Sequence, residues 1–284
     1  YLHVMDPHHP YLAPWSAAQA GPLTWLEYAA DNARLLAPTP RLYRLGQTDR
    51  RELSPADLSK LKGRYLDEAA YALAQVQTVE DGLKAMGLWQ NTVLIITSDH
   101  GEAFQEHGYL RHGQDLYLEQ VHVPLVILGG PVESAPARVT RLVSSLDLFP
   151  TILEIQGVPL PSDILGRSLW PAARGMAVAD RPVFSELRSP AEELMVSIMD
   201  GEYHLIRTEF TDGAPARTEL YRPADDPAET RDLASQLPQD RDRLAAALRD
   251  YLASVPDRNL NTSSEQVLDQ MKRQLRALGY TKGK

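Results

Sequence analysis

The run Thr92-Val-Leu-Ile-Ile-Thr-Ser98, rich in β-branched residues and closed at once by Asp99-His100-Gly101-Glu102, limits the fold more than any other stretch. Branched side chains crowd a helix and fit a pleated strand. A short, uninterrupted apolar run reads as a strand buried on both faces, as in an α/β sheet covered by helices. An imidazole and a carboxylate leaving its C-terminal end are two metal-ligand types, placed where open parallel sheets carry their chemistry. His107 and His112 follow in one polar segment, and Pro124-Leu-Val-Ile-Leu128 resumes as a second buried-type strand. Imidazoles gathered in one connection favour an anion or a metal among them.

Upstream, Ser54-Pro-Ala-Asp57 is a helix start signal, and Tyr65, Ala69, Leu73, Val76, Val79, Leu83 and Met86 recur at helical spacing until Gly87. Helix, strand, site loop, strand, helix is the order of a parallel α/β sheet. Asp147 is the expected N-cap of the next helix and Gly157 its end. A Pro- and Gly-rich connector over 157–182 leads to short strands at Val183–Glu186, Met195–Met199, Tyr203–Arg207 and Glu219–Arg222. Asp200-Gly201 predicts a two-residue type I′ hairpin. Helices follow at Arg241–Ala253 and Glu265–Leu278, with a polar segment between them.

The expected fold class is therefore α/β. Residues 1–175 form a mostly parallel sheet flanked by helices, and residues 176–284 a small antiparallel sheet plus helix subdomain. A formal charge of −9 speaks against a nucleic-acid surface, which needs clustered Lys and Arg. No apolar stretch approaches the roughly 18 to 20 residues that span a bilayer. With no cysteine, a disulfide framework and a thiolate metal site are excluded.

Several of these segments together resemble the sulfatases of the alkaline phosphatase superfamily. Thr97-Ser-Asp-His-Gly-Glu102 is similar to that family's strand-end metal motif. Leu116-Tyr-Leu-Glu119 with Val123-Pro-Leu-Val-Ile127 resembles its next strand entry, and Tyr1 to Tyr11 its strand-to-loop segment with a His-x-Pro-Tyr signature. Ser145 to Thr151 with Gly166-Arg-Ser-Leu169 resembles the helix after the core sheet. Asp200 to Ile206, Glu219-Leu-Tyr221 and Asp226 to Leu233 resemble the small C-terminal domain.

The resemblance implies an enzyme that hydrolyses sulfate esters, with a small molecule or glycan as substrate. Asp99 and His100 would be metal ligands, for Ca2+ first and Zn2+ or Mn2+ as alternatives. His8 would contact a sulfate oxygen or the leaving oxygen. His112 stands where many sulfatases have a lysine and related phosphoethanolamine transferases a histidine; it would act as general acid. Arg111 would clamp an oxyanion. Glu102 is read as loop support, and His107 and His122 as loop and surface residues. The family nucleophile is a formylglycine made from Cys or Ser in a Cys/Ser-x-Pro-x-Arg motif. The expectation is that this chain is the C-terminal portion of a longer enzyme, with the nucleophile-bearing N-terminal segment missing. Family resemblance favours a periplasmic or secreted location. The alternatives are a phosphodiesterase, phosphonate hydrolase or phosphoethanolamine transferase of the same superfamily, and a non-catalytic domain that binds sulfated glycans.

Overall fold

The structure is a computed structural model that describes residues 7–8, 11, 53–133, 138–162, 164–188, 194–210 and 213–255. The expected strand at Tyr1–Met5 and helix at Glu265–Leu278 lie outside the described residues. The chain divides into two compact units, Tyr1–Asp242 and Arg243–Lys284.

Helix α1, Pro55–Ala85, starts where the sequence signals it. Ser54 accepts from the Asp57 N–H, Pro55 opens the first turn, and Lys84 sits in the last. Pro has no N–H to lose there, and each terminal charge opposes the helix dipole. Gly87 at φ +69 breaks the run. The buried stripe is Leu61, Arg64 and Glu68 rather than the apolar series read from the sequence, of which Leu73 and Met86 are exposed.

Strand β1, Leu94–Thr97, follows. After it come the two-residue strands β2, Ala103–Phe104, and β3, Leu110–Arg111, then the short helix α2, Leu118–Val121, and strand β4, Leu125–Leu128. β4 pairs with β1 antiparallel, Leu94 opposite Leu128 and Thr97 opposite Leu125. This corrects the expected mostly parallel sheet. Every sheet among the described residues is antiparallel: β1 with β4, β2 with β3, and the C-terminal sheet below. A parallel return needs a crossover that carries the chain back along the sheet, usually a long helix. Here the connection from β1 to β4 holds only a small hairpin and one helical turn, so the chain comes back alongside in the opposite direction. The class remains α/β.

Helix α3, Leu148–Ile155, is entered through a 3-10 turn at Ser145–Asp147. Asp147 stands at the N-cap position of α3 as expected but makes no side-chain cap bond to the helix, and Ser144 caps the 3-10 turn before it. The two form a reciprocal capping box, with the Ser144 N–H donating to Asp147 Oδ2 at 2.9 Å. Asp147 is 1% exposed and also accepts from the Arg167 N–H at 2.7 Å and from Arg181, which ties the segment after α3 to its start. A four-residue helix α4, Trp170–Ala173, interrupts the connector.

Strands β5, Val183–Arg188, β6, Leu194–Met199, β7, His204–Glu209, and β8, Arg217–Tyr221, form one antiparallel meander in that order. The β6–β7 turn is not the expected two-residue type I′. Met199 pairs with His204, so four residues lie between them. Of these only Gly201 has positive φ, whereas type I′ needs it at both central positions. Asp200 Oδ1 instead accepts from the Glu202 and Tyr203 N–H groups at 3.1 and 2.9 Å. β6 and the first part of β7 are buried residue after residue, so this sheet is covered on both faces. Met195, Ile206 and Tyr221 pack with Leu116 and Tyr117 from the loop between β1 and β4. Helix α5, Pro238–Ser254, closes the described chain.

Candidate functional site

Asp99 and His100 leave β1 at the Thr97 end. His100 Nδ1 lies 2.8 Å from the Gly101 carbonyl. As the donor in that bond Nδ1 carries the proton, which puts the lone pair on Nε2, 3.7 Å from Asp99 Oδ1. The Asp99 side chain is 77% exposed, and its Oδ1 accepts from the His100 N–H at 3.0 Å.

The β2–β3 hairpin delivers the second imidazole. Ala103 pairs with Arg111 and Phe104 with Leu110, so the next positions outward, Glu102 and His112, face each other. Glu102 Oε1 and His112 Nδ1 are 3.2 Å apart, with the Glu102 side chain only 3% exposed. The His112 ring stacks on His100 with centroids 3.8 Å apart. Gln105 and Gly108 take positive φ to close the hairpin, and Arg111 and Gly113 do so on either side of His112.

His8 arrives from the N-terminal side, its ring centroid 5.4 Å from that of His112. The Tyr11 N–H donates to the His8 carbonyl at 3.3 Å, and Tyr11 turns inward to 1% exposure. Tyr11 packs with Leu61, Phe104 and Leu110, so one apolar cluster joins α1, the hairpin and the His8 turn. Its hydroxyl bonds the Glu102 carboxylate, and burial together with that negative charge pushes the phenol well above its usual pKa. Of the residues singled out in the sequence, His8, His100 and His112 therefore come together beside this hairpin, with Asp99 next to His100, while Arg111 lies on β3 with its charge near the Tyr11 hydroxyl. His122 is exposed just beyond α2 and takes no part.

Sequence reasoning missed the residues on the other side of the loop. His107 is held at both ring nitrogens, by Glu119 Oε1 at 2.7 Å and by the Glu229 carbonyl at 3.1 Å. Its ring lies flat on Tyr117, centroids 3.5 Å apart. Burial alone would lower its pKa, but the Glu119 carboxylate and the Glu229 carbonyl override this and raise it to about 9. Nearby Asp115 is pushed up to about 7, by burial first and by the Glu119 charge second. Glu229, fully buried at φ +50, also binds His204 Nδ1 at 2.6 Å and accepts from the Leu118 N–H at 2.8 Å. Tyr117 donates to Glu219 of β8 at 3.0 Å. These partners are up to 122 positions apart, so no local pattern announces them.

As metal donors, Asp99 and His100 supply one carboxylate and one imidazole, a set that suits a divalent ion. Among the described residues no group of three or more His, Cys, Asp or Glu could hold a metal. The pair thus fits as part of a ligand set and not as a whole one. Among the described residues no helix is long and apolar enough to cross a membrane.

Residues 1–158 match the family model described as Sulfatase, and residues 105–257 match N-sulphoglucosamine sulphohydrolase, C-terminal. Arylsulfatase K of Bos taurus is 27% identical over 267 residues, covering 86% of this chain and 49% of that protein. Arylsulfatase K of Homo sapiens is 26% identical, covering 81% and 47%. The chain thus spans about half the length of the curated relatives it matches. Among solved structures, a 2-O GAG sulfatase superposes with TM-score 0.67 at 22% identity over 78% of this chain and 48% of that one. The phosphonate monoester hydrolase of Agrobacterium radiobacter does so with TM-score 0.58 at 27% identity, over 69% and 41%.

The match from residue 1 overturns the expectation that the chain is only a C-terminal portion with the nucleophile-bearing region missing. That expectation also passes over Ser134-Ala-Pro-Ala-Arg138, which has the Ser-x-Pro-x-Arg pattern. Residues 134–137 lie outside the described ones, but Glu133 before them sits within 3.4 Å of Gln90, ahead of β1.

Proposed function

The chain belongs to the sulfatase family, and from that premise we propose that it hydrolyses sulfate esters at Asp99, His100, His8 and His112. The reading is supported chiefly by the stacked His100–His112 pair, with Glu102 behind one ring and Asp99 beside the other. Three imidazoles and a guanidinium near one hairpin supply N–H donors that can hold an oxyanion on a chain whose net charge is −9.

Asp99 and His100 would hold the divalent ion, calcium in our reading, and a bound ion there supplies positive charge to the ester's sulfuryl oxygens. The remaining work falls to the chain. His8 orients a sulfuryl or leaving oxygen. Arg111 offers a fork of N–H donors to two oxygens of the group. His112, with Nδ1 turned to Glu102, presents Nε2 as the acid. It donates its proton to the bridging oxygen as the S–O bond breaks, so the alcohol departs neutral and the sulfuryl group takes oxygen from water overall. Glu102 helps by keeping the protonated ring in place. The substrate would be a sulfated small molecule or glycan, met outside the cytoplasm.

Phosphonate or phosphodiester hydrolysis is the second reading, favoured by the likeness to the phosphonate monoester hydrolase. The test is competition between 4-nitrophenyl sulfate and 4-nitrophenyl phenylphosphonate, in calcium, zinc or manganese. The proposal expects faster turnover of the sulfate with calcium. Preference for the phosphonate with zinc or manganese supports the second reading, and tight binding of a sulfated glycan without turnover of either ester supports a non-catalytic domain.

A further inference from the structure

We infer that Gln120 is a positioning residue that sets the spacing of the His100 and His112 rings. The inference rests on the reading of those two histidines as site residues. Each is followed by a glycine, and both glycine N–H groups end on this one glutamine. The Gly101 N–H donates to the Gln120 backbone carbonyl at 2.8 Å, and the Gly113 N–H donates to its Oε1 at 2.8 Å. Two loop strands that approach from opposite sides of the β2–β3 hairpin are thereby clipped to a single residue.

The clip has no slack. Gln120 is 5% exposed, and its Nε2 donates to Asp115 Oδ1 at 2.6 Å, which fixes the amide so that Oε1 must face Gly113. Gly101 is docked so closely that a Cβ there would lie 2.0 Å from the Glu119 carbonyl oxygen. Gly113 sits at φ +77, a conformation that side-chain-bearing residues rarely adopt. Helix α2, which carries Gln120, is itself held by the bond from its Leu118 N–H to the buried Glu229 carboxylate. The C-terminal sheet therefore reaches the imidazole pair through Glu229, α2 and Gln120 in turn. Because His100 is held through the backbone of Gln120 and His112 through its side chain, substitution at 120 moves His112 alone.

The test uses Gln120→Ala and the double exchange Gln120→Glu with Asp115→Asn. The exchange keeps the bond from Gly113 and reverses the one to position 115: the amide introduced at position 115 can donate to one oxygen of the carboxylate introduced at position 120, while the other oxygen still accepts from Gly113, at the cost of the 3.3 Å bond from the Tyr117 N–H. Ring-proton NMR signals of His112, shifted by the stacked neighbour, report the spacing without any turnover, and those of buried His204 report an intact fold. In Gln120→Ala we expect the His112 signals to move to unstacked positions with His204 unchanged. We also expect kcat on 4-nitrophenyl sulfate to fall about 10- to 100-fold with KM within about threefold. The exchange should restore the signals fully and kcat to within about threefold. Unmoved His112 signals in Gln120→Ala overturn the inference, as does an exchange variant that keeps the His204 signals without restoring the stack. Should Gln120→Ala lose its fold, the exchange variant alone decides. If the ring signals respond as expected while the unaltered protein turns over no sulfate ester, the sulfatase reading falls and the clip stands.

Discussion

One loop, residues 99 to 122, carries histidines with opposite fates on its two sides. On the side toward the antiparallel meander, His107 is locked between a carboxylate and a carbonyl and covered by a tyrosine face. On the side toward α1, His100 and His112 stack on each other, with one carboxylate behind them and an exposed one beside them. A histidine takes a chemical role from what its second nitrogen faces, and no count of histidines in the sequence reveals that. The two sides share one support, because the Glu229 carboxylate anchors the α2 turn that clips the imidazole pair.

The difference can be broken first at the exposed carboxylate. Asp99→Ala should weaken calcium binding at least about a hundredfold by calorimetry and remove turnover with it; turnover surviving with the ion still bound would move the metal elsewhere. His112→Ala should slow alkyl sulfates about 10²- to 10⁴-fold and activated aryl sulfates much less, as loss of a proton donor does. Equal loss on both leaving groups would make His112 a binding residue instead.

On the anchoring side the losses are in stability. Glu229→Ala strands His204 and the Leu118 N–H in the core, and urea unfolding should show a loss of about 3 to 5 kcal/mol. A change under about 1 kcal/mol would mean that the hub is ornamental. The pH dependence sharpens the same point. His107 binds its proton more tightly folded than unfolded, so its contribution is full below the ordinary histidine value of 6.5 and disappears as pH rises through about 9. Asp115, raised to about 7, loses its contribution over a lower range but with the same sign. Stability should therefore fall between pH 7 and pH 10 by about 2 kcal/mol on account of His107, and His107→Asn should flatten that limb. A wild-type profile that is level to pH 10 would contradict the locked ring. Smallest of all, Asp200→Ala should cost about 1 kcal/mol through the lost turn bonds to Glu202 and Tyr203.

Elements set by neighbouring residues were legible in the sequence. Ser54-Pro55 and Gly87 bracket α1 as read, the β-branched run is a strand, and the four short C-terminal strands fall near their expected positions. What failed depended on partners far along the chain. Strand direction in the β1–β4 pair follows from how the intervening loop folds, and the apolar period of one strand is the same in either direction. Asp147 takes the N-cap position of α3 as read, but its carboxylate is claimed by the Ser144 and Arg167 N–H groups and by Arg181 instead of the helix's own N–H groups. At the site, residue types on a strand end marked Asp99, His100 and His112. The support from Gln120 and Glu229 was invisible, because glutamine and glutamate in a loop have no spacing that distinguishes a clip from a solvated side chain, and the His-x-Pro-Tyr signature marked Tyr11 without its bond to Glu102.

The most direct test compares His112→Ala with His107→Asn in one experiment, reading turnover of 4-nitrophenyl and alkyl sulfates per folded molecule beside thermal melting. The account predicts that His112→Ala keeps the melting temperature within a few degrees and loses alkyl-sulfate turnover, whereas His107→Asn melts lower and turns over within about threefold of the unaltered protein. Turnover lost in His107→Asn and kept in His112→Ala would contradict the division of the loop into an anchored side and a reacting one.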